Sequence, residues 1–255
     1  MLLVIDIGNT NITFGTFLND ILNCHWRLPT DLNKTIDSYG IDFCNIFFFS
    51  NIRREEIRGI IISSVVPPLE HIIKEMCEKY FKISPLIVSP GIKTGMPIHL
   101  DNPKELGADR IVNAIAAYEK FKSSVIVVDF GTATTFDFVT SRGVYKGGAI
   151  APGINVSLGA LIKNTSKLPN VDLKKLDKII ASNTINAIQA GVYFGYTGLV
   201  DGIIKRMKNE TDENSKVIAT GGLANLIANE SEEIEFVDEF LTLEGLKIIY
   251  KKNAK

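Results

Sequence analysis

The chain has 255 residues, 45% of them hydrophobic, enough to bury the core of one large domain or two modest ones. With 28 Lys and Arg against 29 Asp and Glu, its net charge of −1 leaves no electrostatic footprint for nucleic acid or an anionic membrane. Three cysteines without CxxC spacing, no run of about 18 apolar residues and no signal-peptide pattern predict a soluble protein of the reducing cytoplasm.

Alternating, β-branched runs predict strands over 2–7, 12–18 and 21–28, joined by short polar turns. A helical period follows over 32–49, interrupted by Gly40 and the Phe47-Phe48-Phe49 run. A strand over 58–64 ends at Pro67-Pro68; a helix covers 69–81, and a strand at 85–88 leads into a loop rich in Pro and Gly. The next helix is predicted over 103–121, with Asn102 as its cap, Pro103 at the first helical position and Glu105 where a capping box wants it. The second half repeats the order. Strands are predicted over 124–129, 134–140 and 143–150, helices over 154–163 and 184–208, then strand 216–219, helix 222–228, strand 234–237 and helix 242–251. Such a repeat predicts an α/β chain of two duplicated domains, residues 1–121 and 122–255, each a mixed sheet flanked by helices, facing each other across a ligand-binding cleft.

The repeat is sharpest at two strand ends. VIDIGNTNITFGTF (4–17) and VVDFGTATTFDFV (127–139) each run from a β-branched pair into Asp, a large apolar residue, Gly and a polar stretch rich in Thr. Gly8-Asn9 is good turn chemistry because both residues tolerate positive φ, and such a turn exposes N–H groups that suit phosphate oxygens, helped by Thr10 and Asn11. Asp6 cannot bind phosphate, but it can hold a hydrated Mg²⁺ that does. Asp129, Gly131, Thr132, Thr134 and Thr135 offer the same set again, so the two turns together could grip a polyphosphate from both sides. The plainer alternative is a pair of hairpins whose carboxylates satisfy local backbone donors. VIATGGLA (217–224) adds a strand running through a Gly pair into a helix, suited to the nucleoside end of ATP. Neither GxxxxGK[ST] nor a GxGxxG after a strand occurs.

DIGNT, DFGTATT and the late TGG resemble the phosphate and adenosine motifs of the acetate and sugar kinase, heat-shock chaperone and actin superfamily. More narrowly, DNPKELGADRIVNAIAA (101–117), GGAIAPGI (147–154) and SKLP (166–169) resemble type III pantothenate kinases over nearly the whole chain. The resemblance implies two ribonuclease-H-like domains, usually a homodimer, and transfer of the ATP γ-phosphate to the primary hydroxyl of pantothenate, the first step toward coenzyme A. It also implies Mg²⁺ or another divalent cation, and K⁺ or NH₄⁺.

Carried onto this chain, the resemblance assigns Asp6, Ile7, Gly8, Asn9, Thr10, Asn11, Ile12 and Thr13 to ATP phosphates and metal, and Thr132 to ATP. It assigns Asp129 to the monovalent cation, and Gly107, Ala108, Asp109, Arg110, Thr184 and the position of Leu100 to pantothenate. Asp109 is read as lying inside a helix whose buried stripe is Ala108, Ile111, Val112, Ile115 and Ala116, and as the acid that accepts the proton of the attacking hydroxyl. Arg110 can pair with the substrate carboxylate; a surface ion-pair network with Asp109 or Glu105 is the alternative. The chain departs from the family at Leu100, where a Tyr is usual. Loss of that hydroxyl costs about 0.5–1.5 kcal/mol and leaves His99 as a neighbouring candidate donor.

Gly191, Gly195, Gly198 and Gly202 fall on one helical face and call for close packing against another helix, in the same domain or across a dimer. Phe43 and Phe47 to Phe49 read as core or interface, and YKKNAK as a frayed tail. Two other functions stay open: a kinase for another small hydroxylated acid, and a non-catalytic relative acting as an accessory factor in transcription.

Overall fold

The apolar run Leu3-Val4-Ile5 becomes the middle of β1 (Leu2–Ile7), where all three side chains are buried. The computed structural model in which this is seen describes residues 1–211 and 213–254. β2 (Asn11–Leu18) and β3 (Ile21–Pro29) continue from β1 as an antiparallel meander. Asn19 and Asp20 join them with φ of 49° and 70°, the two left-handed residues of a tight hairpin turn. After α1 (Ile36–Phe49), β4 (Gly59–Ser64) returns parallel to β1; after α2 (Pro67–Met76), β5 (Leu86–Ile87) lies parallel to β4. The sheet order is β3-β2-β1-β4-β5. Strands buried on both faces read as unbroken apolar runs, and β4 is one; edge strand β3 alternates instead.

Helix α1 begins at Ile36 rather than near residue 32, because Thr35 caps it by accepting from the Ser38 N–H while Asp31 holds the turn before it. Gly40 is at home in this helix: a Cβ there would lie 2.3 Å from the Tyr80 ring. Phe43 and Phe47 join the core with Leu3, Ile5 and Phe14, and Phe14 stacks on Phe43 at 4.2 Å. Phe48 and Phe49 face outward, 76% and 81% exposed.

Helix α3 (Ala108–Phe121) starts later than its capping signals suggest. Asn102 does accept from Lys104 N and reaches Glu105, but these bonds close only a 3₁₀ turn over Pro103–Glu105. Leu106 is then extended, and the helix starts afresh after Gly107.

The second half comprises β6 (Val125–Phe130), β7 (Ala133–Val139), β8 (Tyr145–Pro152), α4 (Ile154–Lys163), α5 (Thr184–Thr211), β9 (Lys216–Gly221), α6 (Ala224–Ala228), β10 (Phe236–Val237) and α7 (Leu241–Asn253). Its sheet, β10-β9-β6-β7-β8, is the first sheet read from the other edge. As β1 pairs antiparallel with β2 and parallel with β4, so β6 pairs with β7 and β9. The predicted duplication is thus present strand for strand.

Packing divides the chain differently from the repeat. One unit comprises Met1–Gly95, Asp101–Ala116 and Leu241–Lys255, the other Met96–Leu100 and Ala117–Phe240. Helix α7 therefore belongs with the first sheet. Gly245 allows its backbone to close on Val112, and Gly59 leaves room for the Tyr250 ring. Nor is its end frayed: Asn253 exchanges hydrogen bonds of 3.1 and 2.9 Å with the backbone of Lys93. In the second unit the 96–100 segment runs beside β8, with Ile98 paired in parallel with Tyr145. The cysteines are free thiols, and among the described residues no helix is long and apolar enough to cross a membrane.

Candidate active site

Asp6 closes β1 opposite Thr13 on β2 and beside Ser63 on β4. Ser63 is fully buried and donates its hydroxyl to Asp6 Oδ1, fixing that oxygen from within the sheet. The turn that follows is closed by the Gly8 N–H donating to the Asn11 carbonyl at 3.0 Å. Neither Gly8 nor Asn9 adopts positive φ, contrary to the reasoning from turn chemistry. What glycine provides here is a close approach: a Cβ at Gly8 would stand 3.1 Å from the Asn11 carbonyl oxygen, a tight contact. Thr30 braces the turn, its hydroxyl donating to the Gly8 carbonyl at 2.6 Å and its N–H to the Thr10 carbonyl at 3.0 Å. Asn9 and Thr10 are exposed and Asn11 and Thr13 half-buried, whereas the Ile7 and Ile12 side chains are core, leaving only their backbone to offer a ligand.

Asp109 lies in the first turn of α3, not inside the helix, because of the break at Leu106-Gly107. Its Oδ1 accepts from the Arg110 N–H at 2.8 Å, one of the donors a helix N-terminus leaves unpaired. A Cβ at Gly107 would lie 2.6 Å from that same oxygen, so the glycine makes room for the carboxylate. The buried stripe below is Ile111, Val112, Ile115 and Ala116 as expected; Ala108 is only half-buried. Asn113 is buried as well and accepts from the Thr242 hydroxyl at 2.7 Å.

Asp6 and Asp109 feel each other electrostatically. Burial pushes the Asp6 carboxyl up to about 7; the Ser63 hydrogen bond opposes this, and the Asp109 charge adds to it. Burial also raises Asp109, against the Arg110 N–H and guanidinium charge that favour its anion. A pair of partly desolvated carboxylates in one place is an arrangement that a cation would relieve.

In the second unit Asp129 closes β6 opposite Thr135 and beside Thr220, the position matching Ser63. The turn after it is held by the Gly131 N–H to the Ala133 carbonyl at 3.1 Å and by the Gly153 N–H to the Thr132 carbonyl at 3.0 Å. Two glycines close on this turn. A Cβ at Gly153 would lie 2.3 Å from the Thr132 carbonyl oxygen. One at Gly221, whose φ is +91°, would lie 2.6 Å from Asp129 Oδ1 and 2.7 Å from the Phe130 carbonyl oxygen. Thr132 is exposed, but the other two threonines point elsewhere. Thr134 Oγ1 is buried with no partner among the described residues, and Thr135 donates to Asp137 at 3.3 Å. Helix α6, after the TGG turn, has only five residues, too few for a strong positive end.

Thr184 is the exposed first residue of α5, with the Asn183 side chain accepting from Asn186 N at 2.9 Å. Leu100 lies over Gly147, whose φ is +111° and whose missing Cβ would stand 3.2 Å from Leu100 Cδ2. The first unit thus gathers Asp6, its turn, Asp109 and Arg110, and the second holds Asp129, Thr132, Leu100 and Thr184. Ser63, Thr30 and Gly153 were not singled out from the sequence. Only the matching of β4 with β9 would have drawn Ser63 out beside Thr220.

Among the described residues no cluster of three or more His, Cys, Asp or Glu forms a metal cage. Asp6 is a single hard oxygen donor with an uncompensated charge, which fits a divalent cation brought in by phosphates. The oxygens of Asp129 and Phe130 converge on the space kept open at Gly221, a donor set that fits a larger, weakly charged cation.

The type III pantothenate kinase family model matches residues 2–206. A type III pantothenate kinase of Citrifermentans bemidjiense is 60% identical over 99% of this chain and 100% of its own length. Among solved structures, a Campylobacter jejuni protein described as a Baf family transcriptional activator is 25% identical with a TM-score of 0.57, covering 98% of each chain. Component A of the Acidaminococcus fermentans (R)-2-hydroxyglutaryl-CoA dehydratase, 13% identical with a TM-score of 0.55 over 100% of this chain and 99% of its own, shares the fold. With the family model spanning four-fifths of its length and a full-length relative at this identity, the chain belongs to the type III pantothenate kinase family.

Proposed function

We propose that this protein transfers the γ-phosphate of ATP to the primary hydroxyl of pantothenate, giving 4′-phosphopantothenate and ADP in the first step of coenzyme A synthesis. The observation that carries the reading is the placement of Asp109 in the first turn of α3, within electrostatic reach of Asp6 at the end of a phosphate-type turn. In the transfer the pantothenate hydroxyl oxygen bonds to the γ-phosphorus and the bond to the β–γ bridging oxygen breaks. The hydroxyl proton passes to the Asp109 carboxylate, whose raised pKa suits it better to that work near neutral pH. The Gly107 gap and the Arg110 N–H hold the carboxylate, and the Arg110 guanidinium pairs with the substrate carboxylate.

Residues Asp6 to Thr13 hold the triphosphate, with Asp6 ligating Mg²⁺, and Thr132 contacts ATP. Asp129 holds K⁺ or NH₄⁺, while Leu100, Gly107, Ala108 and Thr184 contact pantothenate. The divalent cation supplies charge neutralisation at the phosphates. A homodimer is supported by α5: its glycine face is turned away from the sheet, and a Cβ at Gly191, Gly195 or Gly198 would meet nothing within 4 Å among the described residues.

Phosphate transfer measured with Mg²⁺-ATP against pantothenate and a panel of other small hydroxy acids, in K⁺ and in Na⁺, tests this reading. It predicts pantothenate as the preferred acceptor and higher activity in K⁺. Activity indifferent to that exchange counts against the cation role of Asp129. Likeness to the Campylobacter jejuni protein favours a second reading, an accessory factor in transcription. The presence of Asp6, Asp109 and Asp129 speaks against it, and absence of any transfer would favour it.

A further inference from the structure

We infer that Tyr145 and Asp137 are positioning residues for pantothenate, fastening the 96–100 segment that carries Leu100 to the second sheet. The inference rests on the assignment of Leu100 to the substrate. Tyr145 is the first residue of β8 and holds the segment with both backbone groups: its N–H donates to the Pro97 carbonyl and its carbonyl accepts from the His99 N–H, each at 2.9 Å. Its ring is fully buried, and its hydroxyl donates to Asp137 Oδ1 at 2.5 Å.

Asp137 is itself fully buried on β7, and its second oxygen accepts from the Thr135 hydroxyl at 3.3 Å. A carboxylate in such a place costs free energy unless its charge is met by strong hydrogen bonds, so the Tyr145 hydroxyl is held firmly. The backbone of Tyr145 inherits that rigidity and passes it to residues 97–99. Two residues further on, Gly147 adopts a left-handed φ and leaves space for the Leu100 side chain. Leu100 thus has a fixed floor and a fixed backbone, and the chain continues from it directly to Asp101 and the turn before α3. Where the family's usual Tyr would orient substrate with a hydroxyl, Leu100 offers shape alone, and shape requires a wall that does not move.

The test compares wild type with Tyr145→Phe, Asp137→Ala and Asp137→Asn, reading kcat, the KM for each substrate and pantothenate affinity by calorimetry. We expect Tyr145→Phe and Asp137→Ala to raise KM and Kd for pantothenate roughly tenfold, with KM for ATP and kcat within about twofold. Asp137→Asn, which keeps an acceptor for the tyrosine hydroxyl, should restore most of the affinity. Unchanged pantothenate KM in the Tyr145 and Asp137 variants overturns the inference alone, as does an equal loss in both KM values. A wild type that phosphorylates no pantothenate overturns the proposed function, and this inference with it. Should the variants fail to fold, hydrogen exchange on wild type decides. Pantothenate, but not ATP, should slow exchange of the His99 and Tyr145 amides; no slowing, or equal slowing by ATP, overturns it.

Discussion

Asp6 is a carboxylate held where its own charge is disfavoured. Its native value of about 7 lies above the ordinary 3.8, so the folded protein binds the extra proton between those values. Stability contributed by this residue therefore falls as pH rises from about 4 to about 7, and the deficit is complete above that window. Asp6→Asn should raise the melting temperature of the ligand-free protein by about 2–6 °C at pH 8 and by less at pH 5, while impairing phosphate transfer. A melting-temperature change of equal size at both pH values would refute the electrostatic account. Such a trade of stability for function is what a site awaiting a cation and a polyanion should show. Asp6 and Asp129 stand out in the sequence as acids at the ends of two repeated strands, and Asp109 only through a known motif. Ser63 does not: it lies 57 residues from Asp6, and only strand register puts them side by side. The apolar run around it reads simply as strand.

At the scale of elements, local signals were most misleading where two short structures compete for one set of residues. Asn102, Pro103 and Glu105 form a proper cap, but for a single 3₁₀ turn, and extended Leu106 then separates it from α3. The separation matters because it moves Asp109 from a helix interior, where N–H groups are all committed, to a first turn where one is free to hold its carboxylate. The long periodic helix α5 was legible almost to its ends, since 28 residues carry enough pattern to outweigh four glycines. Its Ile188, Tyr193, Tyr196, Val200 and Ile204 face inward, and the glycines lie on the other side. Each glycine forgoes about 1 kcal/mol relative to alanine, a cost that close approach of a second copy can offset. Gly195→Leu, for which the protomer has open space, should leave folding by circular dichroism intact but convert a dimer to monomers in sedimentation. A wild type that sediments as a monomer, or a variant that remains dimeric, would remove α5 as the interface.

Across the whole molecule, two copies of one five-stranded plan have been given different chemistry. In the first, Ser63 secures Asp6 and the helix before the second copy supplies Asp109; in the second, Thr220 takes the place of Ser63, and Gly221 after it opens space beside Asp129. The duplication was readable because hairpin strands and crossover helices alternate in the same order twice. The packing of α7 on the first sheet was not, since nothing in an amphipathic helix names the sheet that will cover it. Only contacts such as Gly245 with Val112 and Asn253 with Lys93 decide that placement. The central claim is that Asp109 accepts the proton of the pantothenate hydroxyl, and phosphate transfer from Mg²⁺-ATP to pantothenate by wild type and Asp109→Asn tests it most directly. The account predicts transfer by wild type and a fall in kcat of about 10²–10⁴ in the variant, with its melting curve retained; a variant that transfers phosphate at the wild-type rate would contradict it.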